Sequence, residues 1–440
     1  MKAGTGSDVP FCEEKDIIRQ REQIESILNA ALYKEIAVKE ISSYNPLSLK
    51  GYEHIKAITY DGITIGANKT KVFAYVGFPK QASKEAPVPA MVLVHGGGGH
   101  PYLKWVKAWN DRGYAAIAME TTGYFPKKGE FCISECDNGN FVYGLDSNSD
   151  FAEAGYVDCP DRIFPTSYAD IDKHWAIYGL VTVEYAHNIL RQDERVDNDK
   201  IGITGISWGG VTASLAIGYD TRYAFAVPVY GTAYLGGKLH SFGDFGNEYV
   251  HALWGAENRL DNFKNPVMWW AYNDDNNFSV PAYVDSYRQS VRNNDKDVLV
   301  MLGGWEHSHE AVFSLEDKYS MAFADSIVKG SVGFVRFSEQ PNGRNMNCKL
   351  NIPVGATVKG ANLYYITEKM SYAVFDKFGW GHSYTFLAQN WQVSATAITV
   401  KDNGTVIGKI PPEAKGYYIN VVFSVGETET QVSSVFVEID

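Results

Sequence analysis

A chain of 440 residues, 45% hydrophobic and 21% charged, is long enough for more than one domain and too apolar to be disordered. Its net charge of −12, with no block of Lys or Arg, disfavours a nucleic-acid surface, and no apolar run reaches the length of a membrane span. Five cysteines (Cys12, Cys132, Cys136, Cys159, Cys348) are too few and too scattered for a disulfide framework or a metal centre, so they read as reduced or incidental thiols.

The opening MKAGTGSDVPFCEEKD lacks the apolar core of a signal peptide, so the expectation is a cytoplasmic protein, or an exported one whose leader has been removed. Residues 13–40 are rich in helix formers, with Ile17, Ile24, Leu28 and Leu32 near helical spacing, and residues 1–50 read as a helical extension. From residue 51 the texture turns β-rich, with Asp61-Gly62 and Ala67-Asn68 as expected turns. Short apolar runs then alternate with helical stretches. They are AMVLVHGG (90–97), YAAIAME (114–120), KIGITGIS (200–207), AFAVPVYG (224–231), PVMWWAYNDD (266–275) and DVLVMLGG (297–304). Such runs suit strands buried on both faces of a parallel sheet. Between two of them Ile171, Trp175, Gly179, Val183, Ala186 and Leu190 trace one helical face. The expected architecture over residues 51–330 is a doubly wound α/β sheet. Residues 122–168, rich in Tyr, Asp, Asn and Gly, read as an insert loop over the active face. After residue 330 the runs GANLYYITE, TAITVKD and GYYINVVFSVG predict an accessory antiparallel β-sandwich-like domain over 331–440.

The run ending at residue 207 continues as Gly-x-Ser-x-Gly-Gly: Gly205, Ser207, Gly209 and Gly210. In a chain with 41 glycines this pattern arises by chance roughly a few tenths of a time, so its context has to carry it. The context is a strand before it and a helix-forming VTASLAIGY after it, which is the setting of a nucleophile elbow. A serine hydroxyl needs a base in hydrogen-bond reach, itself oriented by a carboxylate. Chain order in this architecture is Ser, acid, His. Of the later histidines, His240 and His251 fall in a polar segment and His382 falls in the β region. His307 directly follows the last apolar run and is the preferred base, with His309 the alternative. Asp275 is the preferred acid, with its neighbour Asp274 the alternative. An oxyanion hole needs two backbone N–H donors. Trp208, the residue after the serine, supplies one. The loop His95-Gly96-Gly97-Gly98-Gly99 supplies the other at Gly97, with His95 shaping the loop rather than acting as a base.

Other features carry less. The 28 tyrosines and 10 tryptophans fit carbohydrate pockets but also ordinary cores. Asp146, Asn148 and Asp150 have calcium-loop spacing, yet Phe151 stands where the loop needs glycine and no glutamate sits at the twelfth position. His100, His174 and His187 read as loop or helix-surface residues.

The stretches VLVHGGGGH, VEYAHNILRQDERVDNDKIGITGISWGG, YNDDNNFSVPAYVDSY and GGWEHSHEAVFSLEDKYSMAFADSIVKG, within residues 52–330, together resemble α/β-hydrolase-fold enzymes. The likeness is to acetyl xylan esterase-like and dienelactone hydrolase-like proteins, near the prolyl oligopeptidase-type hydrolases. It implies Ser207 as nucleophile, Asp275 (ahead of Asn277-Phe278) as acid and the first His of HSH, His307, as base. Trp208 departs from the esterase branch, which usually has Gln there, and matches peptidase-like branches. The expected activity is ester hydrolysis through an acyl-enzyme, on an acetyl-type carbohydrate ester, with no metal or organic cofactor. The alternatives are a prolyl oligopeptidase-type peptidase and a non-enzymatic carbohydrate-binding protein on a hydrolase scaffold. Oligomeric state is not legible.

Overall fold

The six apolar runs form strands Val88–Val94, Ala115–Met119, Val196–Ile206, Phe225–Val229, Met268–Asp274 and Val298–Glu306, all parallel. The computed structural model describes residues 14–65, 68–126, 131, 133, 141–143, 170–236, 245, 247–275, 277–307, 317–330, 332–370, 372–375, 383–386 and 390–439. Most of the 122–168 insert lies outside these residues, as do Cys12, Cys132, Cys136, Cys159, Asp146, Asn148, Asp150, His240, His309 and His382.

Lack of alternation in the runs has a direct cause: both faces of the sheet are covered. In the strand Val196–Ile206, Gly205 faces the helix Trp208–Tyr219, while Thr204 and Ile206 face Trp105, Trp109 and Met321 from the helices Leu103–Asp111 and Lys318–Val328. Strand order in the parallel part is 115–119, 88–94, 196–206, 225–229, 268–274, 298–306. The chain winds outward from 88–94 to 115–119, then crosses back to 196–206. The connections leaving 88–94 and 196–206 therefore run to opposite sides at the carboxyl ends of these strands, where doubly wound sheets open a crevice.

The two flanks of the sheet differ from expectation. On one side the hairpin Lys56–Ile65/Asn68–Gly77 adds antiparallel strands, and Val38–Glu40 adds a further edge. Asp61-Gly62 is not a turn but a bulge inside that hairpin, because the register shifts between Asp61 and Thr64 and a side chain at Gly62 would collide with Thr70. The N-terminal helix Glu14–Ala31 is not a free extension: Ile24 and Leu28 are fully buried, and Arg21 Nε–H donates to Ala252 O.

On the other side the expected accessory domain is corrected. The C-terminal strands are antiparallel, but Thr428–Ser433 pairs with Val298–Glu306, and Gly416–Val425, Ala356–Ile366 and Gln392–Ser394 continue the same sheet outward. Two small sheets are separate among the described C-terminal strands: that of Arg336–Glu339, Cys348–Asn351, Thr405–Gly408 and Ile398–Val400, and the pair Tyr372–Phe375 and Ser383–Phe386. The strand 298–306 would otherwise leave a row of backbone groups unpaired at the edge, which Thr428–Ser433 covers. Phe334 wedges edge-on between Phe323 and Phe423, joining the helix Lys318–Val328 to these strands.

His100, His174 and His187 are also corrected, since all three are buried. His100 meets Glu120 at 2.8 Å and His187 meets Asp220 at 2.7 Å. His174 Nδ1 accepts the Trp254 indole N–H at 3.0 Å. Each imidazole is tolerated inside because at least one of its ring nitrogens finds a partner. Among the described residues, no helix is long and apolar enough to cross a membrane.

Asp297, at the start of the strand bearing His307, yields a stability prediction. It is buried, and burial pushes its carboxyl up to about 7, although the amide of Val267 and the Ser290 hydroxyl hydrogen-bond to it. The folded chain thus retains a proton that the unfolded chain releases near the ordinary carboxylate value of about 4. The stability this contributes is complete below that value and is lost as pH rises through about 7. Thermal melting of the wild type should fall between pH 5 and 8 relative to Asp297→Asn; parallel curves would contradict this.

Candidate active site

Ser207 lies between the strand Val196–Ile206 and the helix Trp208–Tyr219, with φ 54° and ψ −120°. Among the described residues only Ser207 and Tyr230 are non-glycines with positive φ, a conformation that costs about 1–3 kcal/mol. The surroundings hold it there. Ser207 N–H donates to Val229 O at 2.9 Å, and Ser207 O accepts from the amides of Gly210 and Val211. The glycines of the motif permit this approach. A Cβ on Gly205 would lie 2.1 Å from Gly209 O, and one on Gly209 would lie 2.1 Å from Val94 O. The motif did not reveal that Gly231 does the same work: a Cβ there would lie 2.5 Å from Ser207 O. Its signal in the sequence is a glycine closing the next apolar run.

From Ser207 a hydrogen-bonded line runs through His307 to Asp275. Ser207 Oγ is 2.9 Å from His307 Nε2, and His307 Nδ1 is 2.9 Å from Asp275 Oδ2. Asp275 is buried, and its Oδ1 accepts the amides of Asn277 and Phe278, each at 2.8 Å. A carboxylate so fixed takes the Nδ1–H of His307, which leaves Nε2 as the acceptor for the serine O–H. Of the two neighbouring aspartates, Asp275 meets the imidazole, while Asp274 closes the strand opposite Glu306. Three aromatic residues surround this line, and of these only Phe278 entered the sequence reading, in the Asn-Phe pair after Asp275. The buried Tyr230 ring stands edge-on to His307 at 5.2 Å, Phe278 lies 5.6 Å from it, and Tyr283 O–H donates to Asp275 Oδ2 at 3.4 Å. Nothing short of the fold marks Tyr230 and Tyr283, since each is one aromatic among many.

The glycine-rich loop approaches the same serine from the adjacent strand. A Cβ on Gly97 would lie 3.7 Å from Trp208 Cβ, so Gly97 packs at the first turn of the helix after Ser207. Gly98 adopts φ 70°, and Gly99 N–H donates back to Gly96 O at 3.0 Å. His95 braces the loop, with Nδ1 against Gly96 O at 2.8 Å and Nε2 accepting Thr121 N–H at 3.0 Å. Buried Glu120 lies beneath, accepting from Thr122 N–H and pairing with His100. The Trp208 ring packs toward Trp175 and Phe245 at 6.3 and 6.2 Å. Among the described residues, no group of three or more His, Cys, Asp or Glu could hold a metal ion.

Strand order 2-1-3-4-5-6 in the parallel part, antiparallel strands before it, and a strained serine between strand and helix decide the architecture. The chain has the α/β-hydrolase fold. No protein-family model matches it, and no curated protein matches it. Solved structures similar to it include the acetyl xylan esterase from Paenibacillus sp. R4, 17% identical with TM-score 0.45, covering 72% of this chain and 96% of that one. Pyrococcus horikoshii acylaminoacyl peptidase is 16% identical with TM-score 0.44, over 65% of this chain and 44% of that one. Est1E from Butyrivibrio proteoclasticus is 18% identical with TM-score 0.37, over 58% and 95%. This chain therefore spans less than half the length of the peptidase it resembles.

Within the hydrolase fold, Gly231 gives a direct test of the elbow's packing. Gly231→Ala should cost about 1–3 kcal/mol in urea unfolding, as overpacking against a rigid backbone does. Gly360→Ala, where an added Cβ meets nothing within 4 Å, should be near neutral. Equal effects would contradict the close approach at Ser207.

Proposed function

We propose that this chain is a serine hydrolase that cleaves carboxylic esters, with Ser207 as nucleophile, His307 as general base and acid, and Asp275 as the acid that orients His307. The observation that carries this reading is the unbroken line Ser207 Oγ–His307 Nε2, His307 Nδ1–Asp275 Oδ2, both links at 2.9 Å. His307 takes the serine proton as Oγ adds to the ester carbonyl. The oxyanion is received by the amides of Trp208 and Gly97, the first at the N-terminus of a twelve-residue helix whose dipole favours negative charge. His307 then gives its proton to the departing alcohol, leaving an acyl-enzyme. Water, deprotonated by His307, releases the acid. No metal or organic cofactor takes part in this scheme.

The substrate class we assign is an acetyl-type carbohydrate ester, on the motif resemblance of residues 52–330 to acetyl xylan esterase-like proteins. One observation favours a second reading. Trp208 stands where that branch carries Gln, as in peptidase-like hydrolases, so aminoacyl amides belong in the same assay.

A panel of p-nitrophenyl esters, acetylated sugars and aminoacyl amides tests both readings. Wild type should turn over the acetyl esters, and Ser207→Ala should lower kcat by about 10³-fold or more. Turnover of aminoacyl amides alone would favour the peptidase, and equal rates in Ser207→Ala would remove the hydrolase reading. Acidification should lower activity, because protonated Nε2 cannot accept the serine proton; a flat acid limb in kcat/KM would contradict His307 as base.

A further inference from the structure

The acid and the base of the proposed site leave neighbouring strands, and the register between those strands is irregular. Tyr272 pairs with Leu302 but Asp274 pairs with Glu306, so one residue, Asn273, stands opposite Gly303, Gly304 and Trp305. Such bulges bend a strand and re-aim the side chains beyond it. Here Asp275 and His307 follow directly on the two sides, and their 2.9 Å hydrogen bond depends on where the bulge leaves each strand.

The bulge is held from both sides. Asn273 Oδ1 accepts the amide of Gly304, which has φ 81°, at 2.9 Å. The other contacts come from the C-terminal strands. Half-buried Trp391 donates its indole N–H to Asn273 O at 3.1 Å. Tyr364 lies so close to Gly303 that a Cβ there would sit 2.2 Å from its ring. Both belong to one aromatic stack: Tyr364 lies parallel on Tyr418 at 4.9 Å, and Trp391 meets Tyr418 edge-on at 5.3 Å. Simple packing of the C-terminal strands accounts for the stack, but not for an indole N–H aimed at the backbone two residues before Asp275.

We infer that Trp391 is a positioning residue for the Asp275–His307 pair, and that through it the C-terminal strands hold the register bulge on which that pair depends. The inference rests on the hydrolase reading of Ser207. Trp391 touches no reacting atom; it acts through Asn273.

The test compares the full chain with Trp391→Phe, which keeps an aromatic ring and deletes the N–H. Val354→Ser, at a 98% exposed C-terminal position, serves as the reference variant. Four readouts are taken: kcat and KM on p-nitrophenyl acetate, the acid limb of the pH profile, the fluorophosphonate labelling rate of Ser207, and the downfield NMR signal of the His307 Nδ1 proton. Trp391→Phe should lower kcat and the labelling rate together by about 10-fold to 100-fold, the scale of a misplaced catalytic group, with KM little changed. It should also move the acid limb and shift or broaden the Nδ1 signal, while Val354→Ser matches wild type in all four. Wild-type values of all four in Trp391→Phe, even with a lower melting temperature, would overturn the inference and leave Trp391 a packing residue. If Trp391→Phe does not fold, Gly303→Ala, which displaces Tyr364 from the same bulge, is read by the same measures. Absence of labelling in the unaltered chain would instead overturn the hydrolase reading, and this inference with it.

Discussion

The backbone of Ser207 is held where serine does not go by itself. Its left-handed φ of 54° turns a buried parallel strand into a buried helix within one residue, and so presents the serine hydroxyl at the carboxyl end of the strand. The conformation persists because three chain segments meet at it at backbone distance: the strand Val88–Val94 against Gly209, the end of Phe225–Val229 through Val229 O, and the helix's own first turn. The sheet order follows from the same requirement. Strands 88–94 and 225–229 must flank 196–206, which places the glycine loop and the Tyr230 turn on either side of the serine. A strain of about 1–3 kcal/mol is sustained by burial and hydrogen bonds spread over these neighbours.

Electrostatics at the site are built with similar economy. Asp275 faces two backbone amides, one imidazole N–H and the Tyr283 hydroxyl, so its charge is met without a cation. The glycine loop is braced from below by His95, Glu120 and His100, side chains that lie within the core. Two aromatic walls, Tyr230 and Phe278, limit how the His307 ring can turn. Each of these groups constrains orientation more than affinity, which suits the proposed passage of a proton along a fixed line.

The parallel core was legible in the sequence because strands covered on both faces leave uninterrupted apolar runs, and because a glycine-flanked serine between a strand and a helix has few other uses. The C-terminal strands were not legible as part of that sheet. Short antiparallel strands have the same alternation whether they close their own sandwich or extend another edge, and only the pairing of Leu299 with Ser433 distinguishes the cases. His100, His174 and His187 were misread as surface groups because their partners Glu120, Trp254 and Asp220 are distant in the chain. Asp275 was preferred to its neighbour Asp274 with the alternative left open, since strand geometry, not residue type, decides which carboxylate reaches the imidazole. Tyr230, Gly231 and Trp391 had no motif to mark them; their roles arise from contacts across strands.

All of this converges on one proposal, that His307 activates the Ser207 hydroxyl. Peptide mapping after brief exposure to a fluorophosphonate measures it most directly. The account predicts a single covalent adduct on the peptide containing Ser207, formed rapidly in the wild type and lost in His307→Ala. An adduct on another residue, or equal modification of Ser207 without His307, would contradict it.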